Sequence, residues 1–122
     1  MNDRKLLELA AKAAVIAIEY VPSATENIGG SLKKFKVNAW HGPYLLGTEI
    51  DWNPLTNDGD ALRLVVKLRL TVDRSEVKDA VFVYCDYQDN FVEALEEHGT
   101  DPYAATRRAI VRAAAEIGKK TK

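Results

Sequence analysis

Apolar positions near the start of the chain recur at helical spacing. Leu6, Leu9, Ala10 and Ala13 fall on one face, with Arg4, Lys5, Glu8 and Lys12 opposite. Asn2 can cap this segment, and Asp3 suits the positive end of the helix dipole, so a first helix is predicted over about residues 3–14. Glu8 and Lys12 stand in i,i+4 order. Residues 15–21 are β-branched and aromatic and read as a strand, although no Gly or Pro stops the helix from running on to Ile18. The stretch PSATENIGG is turn chemistry. After it, Phe35, Val37 and Ala39 alternate with Leu32, Lys34, Lys36 and Asn38, the pattern of a half-exposed antiparallel strand. Trp40-His41-Gly42-Pro43 breaks that pattern, and residues 45–52 are extended again, with Gly47 as a bend or bulge.

A second helix starts clearly. Pro54 ends the preceding strand, Thr56 or Asn57 can cap, and Asp58 and Asp60 fill the first turn. Its apolar residues Ala61, Leu62, Leu64, Val65, Val66 and Leu68 span so wide an arc that burial on most of the circumference is expected. Two strands follow, near residues 70–73 and 80–86, and in the second both parities are apolar. Such a strand calls for cover on both faces, from helices or from a second subunit. Residues 90–98 suit a helix by propensity and an edge strand by position, and the strand is preferred. Asp101 and Pro102 then open a last helix over about residues 102–117. Its expected buried stripe is Tyr103, Ile110, Val111, Ala114 and Ile117, with Arg108, Arg112, Glu116 and Lys119 wet, Arg112 and Glu116 paired, and Gly118 as terminator. Three helices and a mostly antiparallel sheet on which they pack make an α+β fold, an α-β-α sandwich in outline.

A length of 122 residues fits one domain with its own core, and 47% hydrophobic with 29% charged residues is a globular composition. The single cysteine, Cys85, cannot close an intramolecular disulfide. Glu8, Lys12 and Glu19 interrupt the apolar N-terminal stretch, so neither a signal peptide nor a membrane span is expected and a cytoplasmic location is the default expectation. A net charge of −1 argues against a strongly basic nucleic-acid binder, yet the charge is unevenly laid out. Residues 73–98 hold eight acids against two bases, and residues 101–122 hold six bases against two acids.

Motifs with chemistry are few. Aligning Gly59 with the turn glycine of a calcium loop puts Pro54 and Val65 at ligand positions, and neither offers a side-chain oxygen. Capping explains the Asn-Asp-Gly-Asp stretch instead, and no metal or cofactor is expected. His41, His98 and Cys85 are the candidates for imidazole or thiol chemistry, and a Cys–His dyad would need them within hydrogen-bond reach. No phosphate loop, nucleophile elbow, zinc spacing or dinucleotide fingerprint is present, so no catalytic residue is assigned.

Two segments carry a resemblance. DWNPLTNDGDALRLVVKL at 51–68 resembles a signature of short phage and prophage proteins of unassigned function, and DPYAATRRAIVRAAAEIG at 101–118 is similar to their C-terminal helix. NDRKLLELAAKAA at 2–14 looks like their N-terminal helix, and the three cover about 50 of the 122 residues. The resemblance implies a viral origin, action inside the infected cell, and helices on both faces of the sheet. It transfers no catalytic or binding residue, and residues 22–50 are longer than the corresponding stretch of such proteins.

The expected function is therefore a non-enzymatic accessory module that binds a host or phage protein, with a homodimer as one form. Its contact residues are expected at the hairpin tip: Trp40, Tyr44 and Leu45 bring aromatic and aliphatic surface to a loop. One alternative is nucleic-acid binding through Arg108, Arg112 and Lys119 on the last helix. Another is an enzyme whose site assembles from scattered residues.

Overall fold

A computed structural model describes residues 2–14, 18–22, 33–41, 44–75, 79–87 and 90–120, with side chains described for 2–14, 52–74, 79–87 and 91–120. The first helix, α1 (Asp3–Ala13), starts where the Lys5 N–H donates to the Asn2 side chain at 2.8 Å. Its surface ion pair joins Glu8 to Arg4, one turn towards the N-terminus, rather than to Lys12. Leu6, Leu7, Ala10 and Ala11 are its buried residues.

Three strands follow: β1 (Ile18–Pro22), β2 (Lys33–His41) and β3 (Tyr44–Trp52). They form an antiparallel sheet in the order β1-β2-β3. Trp40 and His41 extend β2 instead of breaking it, pairing with Leu45 and Tyr44. The register shifts between the pairs Asn38↔Glu49 and Trp40↔Leu45, and the surplus residues fall on β3, in the stretch that holds Gly47. The linker at 23–32 and the turn residues Gly42 and Pro43 lie outside the described residues.

The second helix is α2 (Asp58–Leu68). Asn57 caps it by accepting the Asp60 N–H at 2.9 Å. The buried Asp60 is engaged at both oxygens: Asn53 N–H donates to Oδ2 at 2.9 Å and Arg63 donates to Oδ1 at 3.0 Å. This is the capping role expected of the Asn-Asp-Gly-Asp stretch. Arg69, in the left-handed region at φ 56°, ends the helix. The strands β4 (Thr71–Ser75), β5 (Ala80–Tyr87) and β6 (Asn90–Glu97) then form a second antiparallel sheet, with β5 central and β4 and β6 at its edges. Residues 90–97 are thus a strand, held by eight register pairs from Ala80↔Glu97 to Tyr87↔Asn90.

The last helix, α3 (Pro102–Lys120), is capped by Asp101, whose Oδ1 accepts the N–H groups of Tyr103 and Ala104. It runs past Gly118, which is a buried interior position and not a terminator. A Cβ built on Gly118 would stand 2.1 Å from the carbonyl oxygen of Leu9, so the backbones of α1 and α3 touch there. Ala115, Ala114 and Val111 precede Gly118 at helical spacing and continue that close face. The opposite side of α3 packs on β5 and β6, and α2 lies alongside. Residues 109–118 are therefore buried except Arg112 and Glu116, and α3 is the central rod of the core. The fold is α+β, with helices packed on an antiparallel sheet.

Candidate functional site

Strand register decides which residues of the β4–β6 sheet face α3. Val81, Val83 and Cys85 point inwards from β5, and their partners Ala94 and Val92 on β6 are buried with them. On β4 the same face carries Val72, opposite Val83, and Arg74, opposite Val81. Val81 and Val83 are fully buried, whereas Val72 is 38% exposed and Arg74 is exposed. The helical layer thus covers the sheet over β5 and β6 and leaves it open over β4.

Around that opening the chain exposes other large apolar side chains. On α2, Ala61 and Leu64 face the core, but Leu62 is 61% exposed and Val66 71% exposed. The burial expected around most of α2 does not occur, because α3 covers one side of the helix only. Tyr103, expected in the buried stripe of α3, is 73% exposed because the first turn of that helix projects past the core. Leu62, Val65, Val72, Tyr103 and Ile110 line one cleft of about 630 Å³ between α2, β4 and α3. That volume and a mostly apolar lining with a few polar groups are those of a ligand site.

The polar groups of the cleft are unequal. Arg107 donates to Asp58 Oδ1 at 2.7 Å and to the Leu55 carbonyl at 2.8 Å, so this pair braces α3 against the start of α2. The Arg74 side chain has no ion pair or hydrogen bond among the described residues, which leaves one uncommitted cation beside apolar surface.

The basic residues singled out on the last helix are placed differently. Arg108 pairs with Asp3 of α1 at 2.9 Å and with Glu96 of β6 at 3.4 Å. Arg112 pairs with Glu96 at 2.9 Å and donates to the Leu95 carbonyl, and Lys119 pairs with Glu116 at 2.9 Å. Glu116 is therefore the partner of Lys119, and Arg112 looks across to β6 instead of along its own helix. The acidic stretch and the basic helix meet at Glu96, and a phosphate arriving there would compete with carboxylates already in place. Trp40, Tyr44 and Leu45 stand together by register where β2 and β3 join. Their side chains, and that of His41, lie outside the described residues.

The remaining sequence candidates do not converge. His98 is 5% exposed and its Nδ1 lies 2.8 Å from Asp79 Oδ1. It follows β6 opposite Asp79, six residues along β5 from Cys85, a separation of about 20 Å at strand rise, so no Cys–His dyad forms. Burial, with Asp86 adding to it, raises the Cys85 thiol above its ordinary value, which leaves it protonated and weakly nucleophilic at neutral pH. His98 also borders a polar depression of about 430 Å³ with Asp3, Thr56 and Asp101. Its Nε2 has no hydrogen-bond partner among the described residues but is fully buried, so a ligand there could not reach it without moving the ring.

Sequence reasoning missed Leu62, Val72, Arg74 and Tyr103 as a group. The available signal was the width of the apolar arc on α2, which exceeds what one packing partner can cover. No described helix is long and apolar enough to cross a membrane. No family model, curated protein or solved structure matches the chain.

Proposed function

We propose that this chain is a non-enzymatic accessory module that binds another protein through the cleft between α2, β4 and α3. One observation carries the reading: Val72 is exposed while its cross-strand neighbour Val83 is fully buried, so the inner sheet face is left open at β4. Leu62 and Tyr103 add large exposed apolar side chains around the opening, and clustered exposure of that kind marks interaction surfaces. Two of the cleft's charged groups, Asp58 and Arg107, are occupied with each other. What the cleft offers a partner is apolar area and the Arg74 cation, which suits binding rather than proton or group transfer. The resemblance of residues 51–68 and 101–118 to short phage proteins supports a partner within an infected bacterial cell.

The test is a comparison of partner capture from bacterial lysate by the wild type, Leu62→Glu and Phe91→Glu. Leu62 lines the cleft, whereas Phe91 lies on the opposite face of the sheet, 59% exposed and stacked on Tyr84 at 5.9 Å. Both substitutions add charge at exposed positions and are expected to leave the fold intact by circular dichroism. Leu62→Glu is expected to lose the protein that the wild type and Phe91→Glu both capture. Equal capture by all three would contradict the reading.

A further inference from the structure

The open cleft adjoins a strand edge with which no other described strand pairs. β4 pairs with β5 on one side and is the edge of its sheet on the other. Residues 71–74 are all exposed. An edge strand presents unpaired N–H and C=O groups that can template another strand. Val72 and Arg74 lie two residues apart on β4 and line the cleft together, so whatever extends the sheet also meets these two side chains. From this juxtaposition we infer that β4 accepts an extended peptide segment of a partner protein as a fourth strand. That segment sets a large apolar side chain opposite Val72 and a carboxylate, two residues away, opposite Arg74. The inference rests on reading the cleft as the contact surface and adds the conformation and chemistry of the partner.

Cross-strand neighbours fix the expected sequence. Side chains directly opposite in adjacent strands lie about 4.5–5.5 Å apart, and opposite charges there attract while like charges repel. The residue facing Val72 is drawn towards Leu62 and Tyr103, so aliphatic or aromatic bulk is favoured. The residue facing Arg74 meets a cation with no carboxylate partner among the described residues, so Asp or Glu is favoured and Lys or Arg is penalised. Asp73, between them, points to the other face and favours a base opposite. An antiparallel segment then reads acid–base–apolar, and a parallel one reads apolar–base–acid. Main-chain bonds to β4 would supply affinity and the alternate side chains specificity, as in other strand-addition modes.

A second copy is a poorer occupant. The register that pairs all of β4 (Thr71–Ser75) with itself is centred on Asp73 and would set two Asp73 carboxylates opposite each other.

The experiment selects displayed random heptapeptides on the wild-type chain and measures the enriched sequences as synthetic peptides by fluorescence polarisation. Enriched peptides are expected to carry an acid and a large apolar residue at i,i+2 spacing. Arg74→Glu is expected to weaken them roughly tenfold or more and to shift preference to a base at the acidic position. Hydrogen exchange at the β4 amides is expected to slow in the complex. Peptides that depend on Leu62 but lack the acid, or that leave β4 exchange unchanged, would overturn strand addition while sparing the cleft as contact surface. Enriched peptides insensitive to Leu62→Glu would overturn both. A dimer by light scattering whose β4 amides are already protected without peptide would also overturn the inference, assigning the edge to a second copy.

Discussion

Gly118→Ala is expected to destabilise the protein by about 2 kcal/mol, a figure typical of overpacking. The sign makes this result diagnostic. In an exposed helix interior the same change would stabilise by roughly 0.8–1 kcal/mol, since Ala is the better helix former. Here the added methyl meets Leu9 backbone, with the carbonyl oxygen at 2.1 Å and the carbonyl carbon at 2.8 Å from the ideal Cβ position. Backbone cannot swing aside as a flexible side chain can, so α1 and α3 must separate. That separation loosens the packing of Ala10, Ala11 and Ala14 against α3, all of which are buried. Urea unfolding followed by circular dichroism reads the change. A midpoint equal to or above that of the wild type would show that the two helices do not touch as described.

The second large effect is expected at Trp52, where truncation to Ala should cost roughly 3–5 kcal/mol. Trp52 ends β3, is 4% exposed and belongs to the core cluster that includes α1, α2, α3 and the β4–β6 sheet. Among the described residues it is the one buried aromatic side chain of that cluster. A domain of this size has about 5–15 kcal/mol in total, so the variant should melt far earlier or fold incompletely. An unchanged melting temperature would contradict the structural role of Trp52.

Much of this fold is legible in local chemistry. Asn2 and Asp101 mark helix starts and make the caps expected of them, and of the two candidates Thr56 and Asn57 it is Asn57 that caps α2. The apolar β5 calls for cover on both faces, but only its inner face is buried, while Phe91 and Leu95 beside it on the outer face are 59% and 46% exposed. The strand at residues 90–97 follows from its place beside β5. Two features were hidden because they depend on what lies across space. Gly118 looks like a helix terminator in sequence, and only the approach of Leu9 shows why a side chain is excluded there. The apolar arc of α2 looks like deep burial, but α3 can cover only one side of it, so Leu62 and Val66 remain outside. The charge layout hid its meaning in the same way. An acidic stretch followed by a basic helix suggests separate surfaces, whereas Arg108 and Arg112 of α3 both close on Glu96 of β6.

The candidate site was therefore the least legible part. Its residues come from α2, β4 and α3, and none carries a motif. Arg74 in particular sits in an acidic stretch, and only the register opposite Val81 turns it towards the cleft.

The claim that the cleft is the contact surface is tested most directly by amide chemical-shift mapping. ¹⁵N-labelled wild type would be titrated with the captured partner, or with a selected peptide. The account predicts shifts concentrated at residues 61–66, 71–75 and 102–110. Shifts confined to the outer face of β6 around Phe91 and Leu95, or to Arg112 and Lys119 on α3, would contradict it.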